Sequence, residues 1–103
     1  MRRFILAALA AGFAVSASAD MVASNGSGDE LRLFDRACTV ESIRAAINPE
    51  YVDKFRAGQA TIGGKTIRLC WIDTEQGAFY LMPEGAEQGI AYPVTIFISQ
   101  PGT

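Results

Sequence analysis

A chain of 103 residues with no histidine, half of it apolar and with a formal charge of −2, has room for one small domain and lacks the commonest general base and neutral metal ligand. Ser-His-Asp and Cys-His catalysis are excluded outright. No basic stripe runs through the sequence, so nucleic acid and anionic lipid surfaces are not expected partners.

Met1, Arg2 and Arg3 precede an apolar block from Phe4 to Val15 and then the small residues Ser16, Ala17, Ser18 and Ala19. That is the order of a positive n-region, an apolar h-region and an A-x-A cleavage site. Residues 1–19 are therefore read as a cleavable signal peptide, cut after Ala19 to leave Asp20 first. The block is shorter than the roughly 20 residues that cross a bilayer, and no membrane span is expected after cleavage. The arginine pair follows the initiator directly, a context that fits Sec export better than the twin-arginine route. No cysteine follows the site to accept a lipid anchor. Losing Arg2 and Arg3 leaves seven basic residues against eleven acidic ones, a net charge of −4. A periplasmic or secreted location is expected.

Residues 20–30, centred on Ser24-Asn25-Gly26-Ser27-Gly28, have the composition of a flexible linker. Asn25-Gly26-Ser27 also matches the N-x-S glycosylation acceptor, which matters only in a eukaryotic host. A single domain is placed at 31–103. Leu31 to Phe34 alternates once and suits a short strand. Thr39 is a candidate N-cap, and Val40, Ile43 and Ile47 fall on one helical face. Asn48-Pro49-Glu50 opens a second short helix with Tyr51 and Phe55 on one face, ended by Ala57-Gly58. Gly63-Gly64 between Ala60-Thr61-Ile62 and Lys65 to Ile72 is a hairpin signal, because glycine supplies the positive φ that two-residue turns demand. Ala78 to Met82 reads as another strand, and Ile90 to Ser99 as one or two more, bent at Pro93. The expected architecture is α+β: two short N-terminal helices on an antiparallel meander of about four to five strands.

Cys38 and Cys70 are the only cysteines, and in an oxidising compartment two thiols have one way to pair. A disulfide across this loop stabilises by about 3 to 4 kcal/mol on the chain-entropy model. Alternation sends Ile67, Leu69 and Trp71 to one sheet face and Arg68, Cys70 and Ile72 to the other. Helices beside Cys38 cover the Cys70 face only. The other face then needs its own cover, so either the sheet curls into a barrel-like roll, the favoured outcome for a small domain, or an apolar face is left for a partner.

Gly64-Lys65-Thr66 ends like a phosphate-binding loop, but Gln59 stands where its leading glycine belongs and a strand follows where the motif needs a helix. Asp73 and Glu75, and Glu84 and Glu87, lie in turns at opposite ends of one strand. Five residues at about 3.3 Å each separate them by about 16 Å, too far for a glycosidase pair. No cofactor or metal is implied. Trp71 is expected in the core, packed against the disulfide; alternatively Ile67, Leu69, Trp71, Tyr80 and Tyr92 make an interface of aromatic and aliphatic anchors.

Asp35-Arg36-x-Cys38, Gly64-Lys65-x-x-x-Leu69-Cys70-Trp71 and Gln88-Gly89 resemble small exported proteins of Gram-negative bacteria and their prophages, for which no function is assigned. The resemblance implies an envelope setting and paired cysteines, and brings no catalytic residues with it. The expected function is a non-catalytic domain that binds a protein or an envelope component. A homodimer, or a hydrolase built on carboxylates or a metal, is the alternative.

Overall fold

The computed structural model describes residues 19–101; all of the predicted leader except Ala19 lies outside them. Seven strands are present: β1 (Ala19–Ser24), β2 (Glu30–Ala37), β3 (Arg56–Ile62), β4 (Lys65–Asp73), β5 (Ala78–Pro83), β6 (Ile90–Pro93) and β7 (Ile98–Pro101). One helix, α1 (Glu41–Ala46), and 3-10 turns at Val52–Lys54 and Val94–Ile96 complete the description. The sheet runs β6-β5-β4-β3-β2-β1-β7, every pair antiparallel, and curves into a half-barrel.

The α+β expectation is thus corrected to a mostly β fold, with seven strands among the described residues where four to five were expected and one helix in place of two. The second helix gives way to a turn and the start of β3. Asn48 Oδ1 accepts from the Glu50 amide at 2.9 Å, a turn that satisfies the asparagine two residues on. Only one 3-10 turn follows before β3 takes the chain at Arg56. The first helix forms where the periodicity placed it, with Val40, Ile43 and Ile47 all buried, but Val40 is its N-cap and no side chain caps it.

The linker expected over 20–30 is also corrected. Met21 to Ser24 pair with Leu33 to Glu30, and Ala19 to Val22 pair with Pro101 to Ile98. The Ser/Asn/Gly stretch is the turn between the first two strands. Asn25 Oδ1 accepts from the Ser27 amide at 2.8 Å, and Gly26 and Gly28 take φ of 78° and 97°. The Gly63-Gly64 hairpin is present, with φ of 61° and 81° at its two glycines.

Two apolar clusters occupy the two faces. Leu33, Ala60, Leu69, Trp71, Phe79, Leu81 and Phe97 fill the concave side. Cys38, Val40, Ile43, Ile47, Phe55 and Cys70 pack on the convex side, under α1. The Cys38–Cys70 disulfide joins the segment after β2 to β4, with Cα atoms 5.6 Å apart and both residues buried. Gly58 belongs where it is because a Cβ there would stand 2.7 Å from Leu69 Cδ1 and 2.9 Å from the Arg32 carbonyl oxygen.

The two ends of the concave side are lined differently. Chain leaving β6 crosses that side through Val94–Ile96, sets Phe97 into the core against Phe79 with ring centroids 5.3 Å apart, and reaches the far edge as β7. Trp71 meets the other side of Phe79 at 5.2 Å, edge to face. These three rings pack at the lower end, where Trp71 and Phe79 also line a cavity of about 440 Å³ with Met21, Lys54, Arg56 and Asp73. At the upper end β1 stops, β2 starts and the β3–β4 hairpin turns; Tyr92 and aliphatic side chains line the space between them.

Candidate functional site

The upper opening is a cavity of about 370 Å³. Its floor is apolar: Ala23 from β1, Leu31 from β2, Ile62 from β3, Tyr92 from β6 and Ile96 from the crossing turn. Residues paired across a ladder share a face, so Ala23 with Leu31 and Leu31 with Ala60 fix this as the concave side. Tyr92 comes from the opposite margin of the sheet, and only strong curvature brings it to the same cavity. Ile62 is 58 % exposed and Ile96 45 %. Ile67 and Ile90, exposed as well, lie on the same face, since they pair with Ala60 and Leu81 of the concave core.

Polar groups ring this floor. Ser24, Asn25, Asp29 and Glu30 line the cavity at the β1–β2 turn. The Asp29 carboxylate accepts from the Gly63 amide and from Asn25 Nδ2, each at 3.1 Å, and so ties the two hairpins together. Glu30 lies on the convex face by alternation, where its Oε2 accepts from Arg32 Nε at 2.9 Å. Arg32 also donates to the buried Asp20 at 3.1 Å. The hydrogen bonds to Glu30 and then Asp20 hold the guanidinium pKa above its ordinary value.

The five residues expected at an interface are divided among three places. Leu69 and Trp71 are core, and the indole Nε1 donates to the carbonyl oxygens of Phe34 and Ala57 at 3.1 and 3.0 Å. Trp71 does not pack on the disulfide; adjacent strand residues face opposite ways, and Cys70 belongs to the convex cluster. Tyr80 lies on the convex face in a groove beside Ile47, Tyr51, Ile72 and Met82, its hydroxyl accepting from the Gly89 amide at 3.0 Å. Ile67, 42 % exposed, and Tyr92, half-buried, belong to the concave face near the opening. Sequence reading missed Ala23, Leu31, Ile62 and Ile96. Their common location depends on the β1–β2 pairing, whose turn has the composition of a linker, and on the chain crossing from β6 to β7, which has no local signature.

The acids do not converge. Asp73 and Glu75 share one turn, where Asp73 Oδ1 accepts from the Glu75 amide at 2.8 Å. Glu84, past the far end of β5, accepts from Arg68 Nη2 at 2.6 Å and from Nε at 3.1 Å. That pairing lowers the Glu84 pKa. Among the described residues no three His, Cys, Asp or Glu side chains gather as a metal site would require. No described helix is long and apolar enough to cross a membrane. Both edge strands are four residues long and end in proline, Pro93 and Pro101, features that blunt an edge against adding another strand.

Comparison of the chain with protein-family models, with characterised proteins and with solved structures finds no match.

Proposed function

We propose that this chain is an exported, disulfide-closed binding domain that engages another protein through the open mouth of its half-barrel. The observation that carries the reading is the 370 Å³ cavity with a solvent-open aliphatic floor. Apolar side chains left at the surface in one concave place mark a site for a partner more often than chance exposure does. The scattered acids favour binding over hydrolysis, and the proline-ended edges disfavour a dimer built by strand addition.

Export is supported by the leader sequence and by the buried cystine. Cleavage after Ala19 leaves Asp20–Ser24 for β1, and Asp20 is anchored by Arg32. The mature protein recovered from the envelope or medium is expected to have the mass of residues 20–103 less two hydrogens; full-length, reduced chain in the cytosol rejects export.

The binding reading is tested with a double variant, Ile62→Glu and Ile96→Glu. Both side chains are about half exposed, so the melting temperature should change little. A protein retained from envelope extract by the wild type should be lost, and Ile98→Glu, on the convex face opposite Val22, should still retain it. Equal retention by wild type and double variant rejects the mouth as the binding surface.

A further inference from the structure

We propose that Asn25 is a self-modifying site: in the folded protein the Gly26 backbone nitrogen attacks its side-chain amide, and the residue becomes a mixture of aspartate and isoaspartate. The chain has two asparagines. The other, Asn48, precedes Pro49, whose nitrogen has no proton to lose. Asn25 is followed instead by glycine, which carries no Cβ to obstruct its nitrogen. Residues 24–28 are all exposed, so solvent base and water reach the turn. Each reacting group has a partner there. The Gly26 N–H donates to Ser24 Oγ at 3.2 Å, which draws on the proton that must leave. The Ser27 amide donates to Asn25 Oδ1 at 2.8 Å, and a donor so placed stabilises the negative charge this oxygen gains when nitrogen adds to Cγ. Asn25 Nδ2, the leaving nitrogen, donates to Asp29 Oδ2 at 3.1 Å, and the carboxylate favours the positive charge acquired on departure.

The Gly26 nitrogen loses its proton to solvent and bonds to Cγ; the Cγ–Nδ2 bond breaks and Nδ2, with a proton from solvent, leaves as ammonia. Water then opens the five-membered imide. Attack at Cγ gives aspartate, attack at the Asn25 backbone carbonyl carbon gives isoaspartate, and in both a proton returns to the Gly26 nitrogen. The sum is one water taken up and one ammonia released. Both products set a carboxylate beside Asp29 in place of a donor, and isoaspartate adds a carbon to the main chain of the β1–β2 turn. Asp29 also holds the Gly63 amide, so the conversion loosens the joint between the two hairpins at the mouth. The chemistry is independent of what docks there.

The test holds the purified, oxidised protein in mildly alkaline buffer at body temperature, beside the same chain reduced and unfolded in urea. Intact mass, released ammonia, peptide mapping and methylation by an isoaspartate-specific methyltransferase are followed with time. The folded protein is expected to gain one mass unit, confined to the peptide that holds Asn25, with matching ammonia and a methyl-accepting isoaspartate, at a rate no lower than that of the unfolded chain. Asn25→Gln keeps the amide but places it one carbon further from the attacking nitrogen, and should not gain mass there. Gly26→Ala adds a methyl group beside that nitrogen and should slow the gain several-fold. Its Cβ meets nothing within 4 Å, although a φ of 78° strains an alanine, so its melting temperature is measured to show that it is folded. A gain seen only in the unfolded chain overturns the inference, because the turn then protects Asn25. So does a gain that persists in Asn25→Gln, or no gain in either state.

Discussion

Trp71→Ala is expected to cost the fold about 3 to 5 kcal/mol, the range for removing a buried indole. The side chain is only 6 % exposed and meets Phe79 edge to face. Its loss enlarges the cavity that Trp71 and Phe79 line at the lower end of the half-barrel. It also removes the N–H that serves two carbonyl oxygens, on Phe34 and Ala57. The register between β2 and β3 shifts between Leu33 and Ala37, so the ladder is interrupted where Phe34 lies. The indole substitutes for part of that missing ladder. Trp71→Phe keeps most of the apolar area and loses the donor, and should cost less, about 1 to 3 kcal/mol. A domain of this size has a total stability on the order of 4 to 13 kcal/mol, so the alanine variant should be largely unfolded in mild urea. Trp71 is the chain's only tryptophan, so wild-type fluorescence reports this one location. A fully folded alanine variant with an unchanged urea midpoint, deficient only in binding, would instead return Trp71 to the interface.

The parts of the fold that were legible in the sequence are those whose cause is local. Gly63-Gly64 dictates its turn without help from the rest of the chain, and the alternation through Leu69, Cys70, Trp71 and Ile72 assigns their faces whatever covers them. Val40, Ile43 and Ile47 mark a helix face by spacing alone. Asn48-Pro49-Glu50 carries a helix-start pattern, yet the same residues satisfy a turn equally well, and the tertiary pull of β3 decides between them. The β1–β2 hairpin was hidden by composition. Ser24-Asn25-Gly26-Ser27-Gly28 is linker chemistry when read alone; set between Met21-Val22-Ala23 and Leu31-Arg32-Leu33-Phe34 it is a glycine-bearing loop joining two apolar runs, which is a hairpin signal.

The candidate site was least legible because no element owns it. Ile62 reads as the end of a strand and Ile96 as part of another, and nothing in either segment says that they will meet. Pairing of β1 with β7 joins the two ends of the described chain, and the passage from β6 across the concave side puts Ile96 opposite Ile62. Both are consequences of closing a sheet that is apolar on two faces.

Replacing both Cys38 and Cys70 with alanine is expected to lower stability by about 3 to 4 kcal/mol, from the loop of 32 residues that the bond closes in the unfolded chain. For a domain this small that corresponds to a fall of roughly 12 to 30 °C in melting temperature. Alanine is the discriminating choice. Both cysteines are buried among Val40, Ile43, Ile47 and Phe55, so serine would add two desolvated hydroxyls at about 1 to 3 kcal/mol each if unpaired, and would confuse the cross-link with the burial. The ordering wild type, double alanine, double serine in falling stability separates the two contributions. The bond also helps fix α1 to the sheet: the helix is six residues long, too short to persist alone, and the segment leading into it is tied to β4 by Cys38 and to Phe55 by a backbone hydrogen bond. The loss should therefore fall first on α1 and the turn after it, with amide exchange rising at Ile43 and Ile47 before it rises at Leu69 or Leu81. Exchange that rises everywhere together would show that the cystine supports the whole sheet equally, and a double alanine variant that melts with the wild type would show that it supports nothing.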